Sequence, residues 1–269
     1  MHNSADSAGV DLSREQLASQ AAAVLTRLRA TQPRVHCITN SVAQNFTANA
    51  LLALGAVPSM TLSGEEIGAF VARSGALLVN LGTFDRERRE ATAIAVGCAA
   101  QNGLPWVLDP VFIDRAEQRC AYARDLMNHA PKAVRLNAAE FAALSGQAFG
   151  GEPPSRAAVA SYARAHRTVI GLTGATDLIA DGARIVTIAN GHPLMARVTA
   201  MGCAASAIVA ACLAVEPDAH AATTSAMLIV GVAGEMAADK AKGPGSFATA
   251  ILDALYTIGA SALAARARL

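Results

Sequence analysis

The chain has 269 residues, 53% of them hydrophobic and 16% charged, with a formal net charge of +1. That length suits one large α/β domain or two small ones, burying roughly three quarters of the unfolded surface. A near-neutral balance without a basic block, and only 4% aromatic residues, exclude the electrostatic footprint of a nucleic-acid-binding protein.

Residues 1–13 are polar and small, without the charged-then-apolar order of a signal peptide, and are expected to form a frayed tail before one domain over 14–269. Glu15 to Arg29 reads as a helix with Leu17, Ala21, Val24, Leu25 and Leu28 on one face. Arg34 to Ile38 reads as a strand, and Thr39-Asn40-Ser41 supplies caps for a helix that runs through Leu54 and ends at Gly55. Strands are expected at Val57 to Met60, Ala76 to Asn80, Trp106 to Leu108, Ala133 to Leu136 and Thr168 to Leu172. Helices fall between them at Arg86 to Gln101, at Asn137 to Leu144, and from the Gly150–Pro154 loop to Ala165.

Leu178 to Ala180 and Ile185 to Ile188, joined at Asp181-Gly182, read as a hairpin and an antiparallel edge. Three helices follow, at Cys203 to Val215, Ala219 to Ala238 and Ser246 to Ala265, with Gly243-Pro244-Gly245 as a rigid turn and Ser246 as a cap. The most apolar window, Ala221 to Gly234, is 14 residues long, contains Thr223, Thr224 and Ser225, and runs into Glu235. It is too short and polar to span a bilayer and reads as a buried helix. The five cysteines (37, 98, 120, 203 and 212) contain no C-x-x-C pair and no zinc-type spacing with histidine. They suit reduced thiols in a cytoplasmic protein.

Alternating strands and helices predict a mainly parallel sheet covered on both faces, with its functional site beyond the carboxyl ends of the strands. Asp109, Asn137, Thr173 and the start of the Cys203 helix all fall at such ends. The Val198–Ala207 stretch turns at Gly202 into a helix of small residues with a thiol on its first turn. A helix start offers free N–H groups and a positive dipole end, which suit an anion and are expected to lower the pKa of a thiol there. Asn137 with Glu140 three residues on has the spacing of a capping box. Glu140 also suits a hydrated Mg²⁺ beside phosphates, with Asp109 as the second carboxylate, directly or through water. Arg135, a permanent charge inside a strand, is better explained by a phosphate partner than by a core. Thr173 and Gly174 offer a hydroxyl and backbone groups to a nucleotide. The chain has no G-x-x-x-x-G-K-[ST] loop, so phosphates would be held by the helix terminus and scattered loops.

The segments His36-Cys37-Ile38-Thr39-Asn40, Asn45-Phe46-Thr47-Ala48-Asn49, Asp109-Pro110-Val111, Asn137-Ala138-Ala139-Glu140, Val198 to Cys203 and Gly243-Pro244-Gly245-Ser246-Phe247 resemble, in order, those of hydroxyethylthiazole kinases. The resemblance implies a ribokinase-like three-layer α/β/α sandwich and a homotrimer with active sites between subunits. It implies transfer of the ATP γ-phosphoryl group to the hydroxyl of 4-methyl-5-(2-hydroxyethyl)thiazole in thiamine salvage, with Mg²⁺. Met60, Ala200 and Asn40 would then bind the thiazole, Arg135, Thr173 and Gly202 would bind ATP, and Cys203 would stand where sugar kinases use an aspartate base.

Three departures from the family pattern stand out. Ala200-Met201 replaces a Gly-Thr pair, Leu136 replaces a glycine, and Phe112-Ile113-Asp114 replaces a glycine-rich run. A main-chain contact at Ala200 is expected to survive with negative φ and to be strained with positive φ. Competing readings are a hydroxymethylpyrimidine-type kinase, a non-catalytic thiazole- or nucleotide-binding homologue, and a cysteine hydrolase using His192.

Overall fold

The computed structural model describes residues 13–269. The expected tail therefore lies outside the described residues except for Ser13, which caps α1 (Arg14–Thr31) in a capping box with Gln16. The strands are β1 (Arg34–Ile38), β2 (Val57–Ser59), β3 (Ala76–Asn80), β4 (Trp106–Asp109), β5 (Ala133–Asn137), β6 (Val169–Thr173), β7 (Asp177–Ala180) and β8 (Ile185–Ile188). They form one sheet in the order β2-β1-β3-β4-β5-β6-β7-β8. The pairs from β2 to β6 are parallel, and the β7–β8 hairpin adds the expected antiparallel edge.

Alternation along the strands sends side chains into two cores, one on each face. On β3, Ala76 and Leu78 join the core under α1, α2 (Gln44–Leu54), α8 (Met201–Leu213), α9 (Ala219–Ala238) and α10 (Pro244–Thr257). Leu77 and Val79 face the other core, under α3 (Ile67–Ala72), α4 (Arg86–Asn102), α5 (Glu117–Met127), α6 (Ala138–Ser145) and α7 (Arg156–His166). The three-layer sandwich expected from the sequence is the one observed. By length and composition α9 is the one single helix among those described that qualifies as a membrane span (Pro244–Thr257 and Ala260–Arg266 pass only as a bent pair), yet 83% of its apolar window is buried inside the protein.

Four local expectations need correcting. Asn40 does not cap α2 directly. Its Oδ1 accepts from the Ala43 N–H at 2.9 Å in a preceding turn, and the helix opens at Gln44. Helices α3 and α5 were not anticipated: α3 is six residues long, and the buried face of α5 (Cys120, Ala123, Leu126, Met127) is diluted by charge. The last helix breaks at Ile258-Gly259 into α10 and α11 (Ala260–Arg266), bent by 115°. The break is stabilised because Arg29 donates to the carbonyls of Leu255, Tyr256 and Ile258 that the helix end leaves unpaired. Ser246 lies inside α10, with Gly243 as the N-cap and Ser246 Oγ accepting from Lys242 N–H at 2.8 Å.

His36 ties the short edge strand to the sheet. Its Nε2 lies 3.1 Å from the Thr61 carbonyl, which can only accept, so Nε2 carries the proton and Nδ1 accepts from Ser59 Oγ at 2.8 Å. Burial lowers its pKa to about 4, although the Thr61 bond opposes this. Neutral His36 therefore contributes its full stabilisation above its ordinary value near 6.5, and the contribution is lost as pH falls towards 4. Chemical denaturation of wild type and His36→Gln across pH 4–7 should give a stability gap that narrows as pH falls. A gap independent of pH would contradict the assignment.

Candidate active site

Parallel register brings the polar ends of the strands together. Asn80 pairs with Asp109 across β3 and β4, and Asn137 with Thr173 across β5 and β6. The opening of α8 faces these ends. Ala200 precedes it at φ 70°, in the left-handed region, and offers no side-chain cap. Among the described residues the Gly202 and Cys203 amides have no protein acceptor, so two donors of the first turn remain free for an anion.

A chain of side-chain hydrogen bonds links the thiol to a carboxylate. Asn40 Nδ2 donates to Cys203 Sγ at 3.2 Å and to Asn80 Oδ1 at 3.1 Å, and Asn80 Nδ2 donates to Asp109 Oδ2 at 2.6 Å. Asp109 is buried, and its pKa is pushed up to about 7, by desolvation first; the Arg135 charge opposes this and the Glu140 charge adds to it. The expected depression of the Cys203 pKa is not observed. Burial, then the neighbouring Asp109 carboxylate, push the thiol up to about 11, against the Asn40 and Asn80 hydrogen bonds and the Arg135 charge.

Glu140 closes the capping box of α6, accepting the Asn137 N–H at 2.9 Å while Asn137 Oδ1 accepts the Glu140 N–H. Its other oxygen accepts the Phe112 N–H at 2.9 Å, and Phe112 is itself left-handed at φ 60°. Burial raises the Glu140 pKa despite these two bonds. The structural role of the Asn137–Glu140 spacing is thus real, and it sets the carboxylate close enough to Asp109 for their charges to interact.

On the other side of the α8 opening lies a cleft of about 530 Å³, where Arg135, Thr173 and Gly202 all reach the lining. A Cβ on Gly202 would stand 3.4 Å from Arg135 Nη1, an ordinary van der Waals contact that places the guanidinium beside the helix start. Arg135 Nε is buried without a hydrogen-bond partner among the described residues. Thr173 Oγ1 donates to the Leu136 carbonyl at 3.3 Å. Met60 is separate from this grouping: it is half-buried just past β2, on the α8 side of the sheet. His192 accepts the Leu194 N–H at 3.2 Å in the cleft wall while Cys203 bonds Asn40, so the hydrolase reading finds no base beside the thiol.

The sequence reading missed Asn80, Asp177 and Asn190. Asn80 carried a usable signal, a lone amide closing an otherwise apolar strand. Asp177 opens β7 and Asn190 follows β8, and only the fold brings the two to the cleft.

The description of the hydroxyethylthiazole kinase family matches residues 25–261. The chain belongs to this family. A hydroxyethylthiazole kinase of Granulibacter bethesdensis is 45% identical over 253 residues, covering 91% of this chain and 92% of the relative. A probable hydroxyethylthiazole kinase of Agrobacterium fabrum is 42% identical over 94% of this chain and 95% of its own length. The hydroxyethylthiazole kinase structure from Pyrococcus horikoshii superposes with a TM-score of 0.89 at 37% identity, covering 93% and 98% of the two chains. A ribokinase-like superfamily protein of Enterococcus faecalis shares only 14% identity at a TM-score of 0.68, covering 91% of this chain and 94% of that one. That likeness supports the ribokinase-like fold.

Ala200 carries the strain that positive φ was expected to impose. Ala200→Gly should stabilise the protein by about 0.5–1 kcal/mol, since relief of the left-handed alanine exceeds the added freedom of the unfolded chain. Equilibrium denaturation measures this, and a destabilised glycine variant would contradict it.

Proposed function

We propose that this chain phosphorylates the hydroxyl of 4-methyl-5-(2-hydroxyethyl)thiazole with ATP, a step of thiamine salvage, in the cytoplasm. The observation that carries the reading is the shared position of the α8 opening. One side meets a cleft lined by Arg135, Thr173 and Gly202, and the other meets the Cys203–Asn40–Asn80–Asp109 chain. The nucleotide occupies the cleft, and its terminal phosphate lies at the Gly202 and Cys203 amides. The thiazole lies beyond Cys203, against Asn40, Ala200 and Met60, whose thioether suits a flat sulfur heterocycle. Met60 follows the edge strand β2, and exposed Val57 on that strand and Leu52 on α2 offer apolar surface to a second copy. This supports a homotrimer with sites between subunits.

A loose phosphoryl-transfer transition state asks mainly for alignment and charge neutralisation. Arg135 and the two amides hold the moving phosphoryl oxygens without reorganising. Among the described residues no group of three or more carboxylate, histidine or cysteine side chains converges as a metal cage. Asp109 and Glu140 still fit Mg²⁺, which keeps several waters and borrows one or two carboxylates. Both Glu140 oxygens already accept amide N–H groups, so Glu140 suits a bond through water. Bound there, Mg²⁺ would neutralise phosphate charge.

Cys203 stands beside the alcohol, and only its thiolate form can accept the alcohol proton. With its pKa near 11 it holds its own proton at neutral pH, so its part in the rate is small. Release of ADP should be fastest with the thiazole alcohol and far slower with hydroxymethylpyrimidine or sugar alcohols. ATP binding without ADP release from any of them would instead identify a non-catalytic binder. Cys203→Ala should keep ATP binding and lose about tenfold in kcat, below the roughly 10²–10⁴-fold of a full general base. Cys203→Asp should stay active or improve, and a folded, inactive aspartate variant would refute the placement of the thiol beside the alcohol.

A further inference from the structure

We infer that Glu235 is a positioning residue for the nucleotide, holding from behind the wall that residues 189–197 give the cleft. The inference rests on the nucleotide reading of that cleft. Between β8 and α8 the chain has only a short 3-10 turn, Pro193–Arg197, yet Asn190, Gly191, Pro193, Met195 and Ala196 all reach the lining. A wall without regular backbone pairing needs its hydrogen bonds satisfied elsewhere.

Helix α9 supplies the seat. A Cβ on Gly231 would lie 2.8 Å from Asn190 Cβ, and one on Gly234 would lie 2.5 Å from Met195 Sδ, so both glycines allow the loop to press against the helix. The next residue fastens it. Glu235 Oε1 accepts Asn190 Nδ2 at 2.8 Å, the Gly191 N–H at 3.1 Å and the guanidinium of Arg268. The segment after α11 completes the clasp. Ala189 N–H donates to the Arg268 carbonyl at 3.0 Å, Arg268 N–H to Asn190 Oδ1 at 2.8 Å, and Asn190 Nδ2 also to the Arg266 carbonyl at 2.7 Å. Both amide hydrogens and the carbonyl of Asn190 are thereby engaged, and the residue is buried at 7% exposure.

Glu235 does not line the cleft itself, and it sits on a different element from the Cys203 chain. Its loss should therefore act on nucleotide affinity and leave the alcohol side alone. Charge-assisted bonds to one mostly buried carboxylate oxygen are among the stronger contacts available to such a loop.

Calorimetry with ATP and no alcohol, together with steady-state kinetics, tests this on the full-length chain. Glu235→Ala should weaken ATP binding and raise the KM for ATP about tenfold, with kcat and the KM for the alcohol within about twofold. Glu235→Gln keeps the acceptor oxygen and should restore most of the affinity, which a role in global stability alone would not require. If Glu235→Ala does not fold, Arg268→Ala, which removes only one arm of the clasp, should still weaken ATP binding two- to fivefold. A folded Glu235→Ala, or failing that a folded Arg268→Ala, with wild-type ATP affinity overturns the inference. Wild type that binds no ATP overturns the cleft assignment, and the inference falls with it.

Discussion

A carboxylate buried at the end of a central strand sets the terms for this site. Asp109 has left water, so its charge is costly, and the surrounding groups are arranged to moderate that cost without abolishing it. Asn80, placed opposite by strand register, donates a short hydrogen bond, and Arg135 supplies positive charge from the next strand. The same carboxylate raises the Cys203 thiol through space while Asn40 and Asn80 join the two by hydrogen bonds. Acid, thiol and amide donors therefore behave as one electrostatic unit. The register of β3 against β4 is what assembles it.

Around that unit the fold divides its work by element. Strand ends provide the charged and amide side chains, the α8 opening provides free backbone donors, and the loop before α8 provides the cleft wall. Rigid strands place the groups that must align with reacting atoms. The irregular wall is held from behind by α9 and the segment after α11. Strain gathers at the same place: of the non-glycine residues with positive φ, Ala200 and Phe112 both adjoin the site, and the Phe112 amide is committed to Glu140.

Much of this was legible in the sequence. Strand–helix alternation gave the layers, and Asp181-Gly182 marked the antiparallel edge, because turn chemistry and hydrophobic period are local signals. The three residues assigned to ATP line one cleft for a similar reason: strand ends and helix starts are readable, and in a parallel sheet they share one side. The capping box of Asn137 and Glu140 was also visible. Other features were not readable, because they depend on what surrounds a residue. The helix start suggested a lowered Cys203 pKa, but desolvation and a carboxylate more than 90 residues away in sequence reverse it. The α10–α11 break depends on Arg29 from the first helix, and the hold of Glu235 on the cleft wall depends on residues 266–268.

The proposed site requires the carboxylates and the α8 amides to face one triphosphate. The decisive measurement is the Mg²⁺ dependence of ATP binding to wild type and Asp109→Asn by calorimetry. Mg²⁺ should tighten binding to wild type, and this gain should largely disappear in the variant. Metal-free binding should hold or tighten, because one negative charge near the phosphates has gone. An unchanged Mg²⁺ gain in a folded Asp109→Asn protein would contradict the proposed site.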